Sequence, residues 1–298
     1  MRLRSAIVAA VALAFVGLSA APAAAAPPLW VVRDGDSEIY LFGTMHALSP
    51  DARWRTPVYD KAYDQAQTVW FEADLDGADP ATVHDLMARY GVDPDRTLSE
   101  KLGPRELKSL KPLLAQGRMS LAAVDHLRPW VAALMLSMQP LRAQGARVEN
   151  GADLTVTHAA KAQVKRVRVF ETLEEQVRMF AGLPEPVEVR YLADVIAEQR
   201  PRPRLALRRP EPSLEAAWIA GDLARLGPGL AGAMAKDSPE FYDALIRRRN
   251  QNWADILTRE IKIGAGIELV NVGALHMVGP DGLPALLKAR GFQVERLQ

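Results

Sequence analysis

Two stretches far apart in the chain share one order of residue types, and they constrain the fold more than any other feature. Ile39-Tyr40-Leu41-Phe42-Gly43-Thr44-Met45-His46 is an apolar run that meets a glycine and delivers a histidine three positions later. Leu269-Val270-Asn271-Val272-Gly273-Ala274-Leu275-His276 repeats that order. Each run reads as a β-strand, and glycine at its end allows a sharp turn because it tolerates dihedrals that other residues do not. The histidine then lies beyond the strand's carboxyl end, where α/β sheets place their sites. A single Gly-x-x-His arises by chance. Two at strand ends, in a chain with five histidines, point to a site built from both.

Around these units strands and helices alternate. Leu29–Val32 and Glu38–Phe42 flank Asp34-Gly35 and read as a β-hairpin. A helix follows over 57–67, then a short strand, Thr68-Val69-Trp70-Phe71-Glu72, that runs into an acidic cluster ending at Asp76. Period-two alternation places Glu72 and Asp74 on one side of that strand. From Pro80 to Gln144 the chain is mostly helical, with a break or kink expected at Pro112 and a core helix over 129–144. A helix over 153–162 precedes a third strand over 164–170, and Thr172 with Glu175 forms a capping box for the next helix. An amphipathic helix over 184–199 leads to an arginine- and proline-rich segment, 200–212, read as an exposed loop. Two short helices over 214–235 precede the longest helix, 239–263, and a helix over 283–289 and a strand over 293–297 close the chain. This pattern predicts an α/β fold, rich in helix, on a mixed central sheet; the doubled motif hints at pseudo-symmetric halves.

The first 26 residues are a different object. Arg2 and Arg4 precede an apolar stretch, Ala6 to Leu18, and a run of small residues reaches Ala26. That is the pattern of a secretory signal peptide, with one domain expected over 27–298 and export to the periplasm or beyond. The apolar stretch falls short of the ~20 residues a spanning helix needs, so no stable membrane anchor is expected. The balance of 37 basic to 36 acidic residues gives no case for a nucleic-acid partner. The chain has no cysteine, which excludes disulfides, thiolate metal ligands and a cysteine nucleophile.

The candidate site residues follow from cost. Glu72 ends an aromatic strand, where an acid is expensive unless paired, hydrogen-bonded or bound to a metal. Asp74 and Glu171 come second by the same logic, Glu171 having an alternative role at a helix start. His84, His126 and His158 read as surface or structural. In the long helix Ile246, Trp253 and Leu257 form an apolar face that Arg249 and Asn250 interrupt. Arg249 either binds a carboxylate of the site or substrate or snorkels from the core's rim; Asn250 is placed to donate to a developing oxyanion. His46, His276 and Glu72 match the three-ligand, open-position pattern of hydrolytic metal centres, in which the metal lowers the pKa of bound water. A metal-free His–Glu acid/base site needs the same residues. Gly-x-Ser-x-Gly, the Walker loop, the dinucleotide fingerprint and His-Glu-x-x-His are all missing.

At these residues the sequence resembles the TraB/PrgY/GumN family, to which the TIKI Wnt-cleaving proteases are related. The resemblance is carried by Leu29-Trp30, Gly43 to His46, Phe71 to Leu75, Arg128-Pro129-Trp130 and Gly151-Ala152-Asp153. It continues through Glu171 to Gln176, Arg249-Asn250 with Trp253-Ala254, and Val272 to Gly282. It implies a fold related to erythromycin-esterase-like and ChaN-like proteins, with His46, His276, Glu72 and Arg249 as functional residues. For the TIKI branch it implies peptide-bond hydrolysis dependent on a divalent metal such as manganese or cobalt; zinc shares the ligand chemistry. The expected partner is a peptide or other small substrate in a cleft. The alternatives are a peptide- or glycan-binding protein without turnover, or a hydrolase of esters or other non-peptide bonds.

Overall fold

The computed structural model describes residues 25–74, 76–200 and 212–298. Residues 1–24 of the expected signal peptide and most of the arginine- and proline-rich segment lie outside them. Six strands form one sheet: β1 (Leu29–Asp34), β2 (Ser37–Thr44), β3 (Thr68–Phe71), β4 (Arg166–Val169), β5 (Gly266–Gly273) and β6 (Gln293–Arg296). Their order is β4-β3-β5-β2-β1-β6. The neighbours β4, β3, β5 and β2 run parallel, and β1 is antiparallel to both β2 and β6. The sheet is therefore mixed and the fold α/β, rich in helix.

Four parallel strands place four carboxyl ends side by side. The two histidine-bearing strands are direct neighbours, with Thr44 opposite Gly273. β3 lies on the other side of β5, pairing Phe71 with Asn271, and β4 pairs Val169 with Phe71. His46, Glu72, Glu171 and His276 thus all leave the sheet from the same edge. β2, β3 and the second half of β5 are buried on both faces, as near-continuous apolar strands in a parallel sheet must be. One face carries an aromatic core of Phe42, Trp54, Tyr59 and Trp218. On the other, Trp253, Leu257 and Ile261 of the helix Arg248–Ile263 pack over Trp70, Leu41 and Val270.

Several local expectations change. The helix Pro104–Gln116 runs through Pro112 without ending, because buried Leu110, Leu113 and Leu114 hold its path on either side of the missing hydrogen bond. β3 stops at Phe71, so the alternation that would align Asp74 with Glu72 does not extend that far; Asp74 instead pairs with Lys161 at 3.0 Å. The long helix is not uniform: Pro239–Tyr242 leads into a π-helical stretch, Asp243–Arg247, and then Arg248–Ile263. Such stretches often occur at functional sites, and this one ends two positions before Arg249. The capping box of Thr172 and Glu175 forms as expected.

The turns after β2 and β5 pack directly on each other. A Cβ added at Gly43 would sit 2.9 Å from Ala274 Cα, and the Gly43 carbonyl accepts a 2.7 Å hydrogen bond from Trp218 Nε1. Gly43→Ala should therefore force the two strand ends apart and cost about 1–3 kcal/mol, readable as a fall in the urea midpoint with an unchanged slope.

Candidate functional site

The guanidinium of Arg249 sits at the centre of the strand ends, and each of its five N–H groups has a partner. Nε donates to Glu171 Oε1 at 3.0 Å. Nη2 donates to Glu72 Oε2 at 2.7 Å and Glu171 Oε2 at 2.9 Å. Nη1 donates to the Leu245 carbonyl at 3.1 Å and to His276 Nε2 at 3.0 Å. Trp253 Nε1 adds a 3.0 Å bond to Glu171, and its ring lies 4.6 Å from the Arg249 Cζ. Arg249 is thus buried and saturated rather than snorkelling from the rim. It holds the site's carboxylates and has no N–H left over for a substrate.

Asn250 fixes the other side of His276. Its Oδ1 accepts from His276 Nδ1 at 2.6 Å, and its Nδ2 donates to the carbonyls of His276 (3.1 Å) and Asp281 (2.7 Å). Neither amide hydrogen is left for an oxyanion, so Asn250 positions the imidazole. With Nδ1 donating and Nε2 accepting, His276 is held as one neutral tautomer. Burial, reinforced by the charge of Arg249 and the facing His46, pushes its pKa down to about 3.

Glu72 is held on both oxygens. Oε1 accepts the Gly273 N–H at 2.7 Å; Oε2 accepts from Arg249 and, at 3.4 Å, from Gln176 Nε2. Burial would raise this carboxyl. The facing His276 and His46 rings, the guanidinium and the Gly273 N–H reverse that and hold it well below the usual carboxylate range.

His46 differs from its counterpart. Its side chain is 55% exposed, and Nδ1 lies 3.2 Å from Asp153 Oδ2 at the start of the helix Ala152–Ala162. Loss of water around the ring opposes protonation, but Asp153 and Glu72 outweigh it and lift the pKa to about 9. Gly151 makes this approach possible, since a Cβ there would lie 2.5 Å from the His46 carbonyl oxygen. The space left by a missing side chain also marks where the groups meet. A Cβ on Gly273 would sit 3.1 Å from Glu72 Oε1, 3.4 Å from His46 Nε2 and 3.6 Å from His276 Cδ2.

All five residues expected at the site are therefore brought together. Glu171, second-ranked from sequence, is one of the two carboxylates on Arg249, and the strand-end argument that singled out Glu72 applies to it equally. Asp153, Gln176 and Trp253 lie in stretches that carry the family resemblance, but nothing in the sequence assigned them to the site, because their partners come from distant segments. Asp74, His126 and His158 have partners elsewhere: Lys161, the Asp93 carbonyl and Asp76.

The donor types suit a divalent cation, but their arrangement does not. His276 Nε2 is taken by Arg249, both Glu72 oxygens are engaged, and a full positive charge stands against two of the three expected ligands. Among the described residues no group of three His, Cys, Asp or Glu side chains is placed to hold a metal ion. An ion at His46, Glu72 and His276 would require Arg249 to leave His276.

With this geometry in place, comparison with known proteins is informative. The sequence matches the TraB/PrgY/gumN family over residues 28–296. The chain belongs to that family. It is 25% identical to the uncharacterized protein YbaP of Escherichia coli (strain K12) over 262 residues, 88% of this chain and 92% of that protein, and equally similar to YbaP of Shigella flexneri. No solved structure matches it. The family match runs from just before β1 to the end of β6 and so takes in every strand that delivers a site residue.

Two measurements test the electrostatics. Asp153→Asn should lower the His46 pKa from about 9 toward ~6.5, visible by NMR titration of its ring. In the wild type the raised pKa adds stability that is complete below ~6.5 and is lost as pH rises through about 9; the variant should lack that pH-dependent increment. Arg249→Met strands two largely buried carboxylates and should cost about 3–5 kcal/mol in urea unfolding, and Arg249→Lys should recover little because an ammonium cannot reproduce the fork.

Proposed function

We propose that this chain is an exported hydrolase of peptide-like bonds, working by acid–base chemistry between Glu72 and His46. The observation that supports this most is the pair of opposed titrations around Gly273, an ionised carboxylate facing an imidazole held protonated by Asp153. Titratable groups whose environments push them apart are the usual basis of acid and base assignments. In this reading Glu72 takes the proton of an attacking water and His46 donates through Nε2 to the leaving amine. Arg249 and the Gly273 N–H keep Glu72 in place, and His276 with Asn250 keeps Arg249 in place. A bound substrate would cover His46 and keep bulk water from the pair. The amino-terminal leader pattern supports export, and the half-open His46 supports access for a peptide.

The test is turnover of a peptide library by metal-free protein across pH. Activity should persist through neutrality and fall as pH rises through about 9, and Asp153→Asn should move that fall downward. Glu72→Gln should remove activity by about 10²–10⁴-fold. Turnover that requires added manganese, cobalt or zinc and vanishes in His276→Ala would overturn the acid–base assignment in favour of a metal centre. Ligands retained unchanged by both wild type and Glu72→Gln would mark a peptide- or glycan-binding protein, and cleavage of esters alone would change the substrate class.

A further inference from the structure

The Arg249–Glu171 pair has a second side. There it forms the wall of a cavity of about 460 Å³ between the helix Leu173–Ala181, the loop at Gly182–Pro184 and the start of the helix Arg248–Ile263. Buried Leu183 and half-buried Met179 and Ala244 supply apolar surface. Two lining arginines stand well out, Arg178 with a side chain 62% exposed and Arg248 with one 69% exposed.

Both arginines make their contacts through Nε. Arg178 Nε donates to Tyr90 Oη at 2.9 Å and lies 3.1 Å from Glu174, and Arg248 Nε donates to Asp243 at 2.6 Å. Among the described residues neither has a partner at Nη1 or Nη2. A guanidinium carries five donors in a fixed fork, so the terminal nitrogens of both remain available to a carboxylate. The ion pairs they do make are exposed and weakly held. Three arginines, Arg178, Arg248 and Arg249, line the cavity beside Glu171 and Glu240; Arg249 is spent on Glu171, whereas Arg178 and Arg248 meet Glu174 and Asp243 through Nε alone.

We propose that this cavity binds the carboxyl-terminal residue of a peptide, its apolar side chain against Leu183, Met179 and Ala244 and its α-carboxylate between Arg178 and Arg248. The proposal rests on the hydrolase reading and deepens it: Arg249 lines the cavity and also holds Glu72, so the cavity would select peptides that end in a free carboxylate.

Binding can be read separately from turnover. The full mature chain is titrated by two-dimensional NMR with N-acetyl-leucine and with N-acetyl-leucinamide. The acid should bind with shifts centred on the cavity, and the amide should bind about tenfold more weakly. Arg178→Gln/Arg248→Gln should erase the difference, and Met179→Trp, which fills the cavity from its apolar side, should weaken both ligands even if the double variant folds poorly. Equal affinity for acid and amide, shifts away from the cavity, or no binding by either overturns the proposal. Peptides cleaved equally well with free and amidated ends overturn it too, and leave the hydrolase reading standing. Acid-selective binding without turnover of any peptide leaves the cavity's role intact and removes the hydrolase.

Discussion

A buried guanidinium is tolerable only when its charge and all its donors are answered, and that requirement organises this protein. Isolated, Arg249 would be a severe liability, since desolvating an ion costs several kcal/mol before any partner is counted. Its partners come from four separate stretches of chain: Glu72 after β3, Glu171 after β4, His276 after β5 and the Leu245 carbonyl in its own helix. None of these is close to another in sequence. The side chain therefore acts as a cross-link that is complete only when the parallel strands are in register and the long helix is docked. It also fixes where Glu72 points, so the interaction that closes the fold sets the site's geometry as well. A lysine in this position could satisfy charge but not four partners at fixed angles.

How much of this could be read beforehand follows from which signals are local. A strand ending in Gly-x-x-His is local, and so were the hairpin at Asp34-Gly35, the capping box at Thr172 and the polar break in the stripe of the long helix. Each rests on residues within a few positions of one another, and each has its counterpart in the structure. What sequence could not supply was pairing. Nothing near Asp153 indicates that it faces His46, and nothing near Asn250 indicates that both its amide hydrogens are spent on carbonyls rather than free for an oxyanion. The error at Asp74 has the same origin. Alternation is a property of a strand, and β3 ends at Phe71, before it could reach Asp74. The metal expectation likewise came from donor types; whether they form a ligand set depends on the cation already standing among them.

The two Gly-x-x-His units show how far identical local sequence leaves chemistry undetermined. Both histidines follow adjacent parallel strands and face the same carboxylate, His46 from a bend beyond Thr44 and His276 from a 3₁₀ turn over Ala274–Met277, yet their pKa values move in opposite directions. The difference lies in what each Nδ1 meets. Beside His46 stands Asp153, an anion that favours the charged ring. Beside His276 stands the neutral amide oxygen of Asn250, while Nε2 faces a guanidinium that disfavours a second positive charge. A carboxylate in place of Asn250 would tend to charge His276, and a charged His276 could no longer accept from Arg249. The Arg249 network then loses one contact and gains a repulsion. The neutral state of one histidine is thus a condition for burying the arginine, and the charged state of the other depends on its separation from that arginine. The likeness of the two motifs is broken by one amide and one carboxylate supplied from helices. That breaking leaves the charged ring, His46, beside Asp153 and the neutral ring, His276, between Asn250 and Arg249.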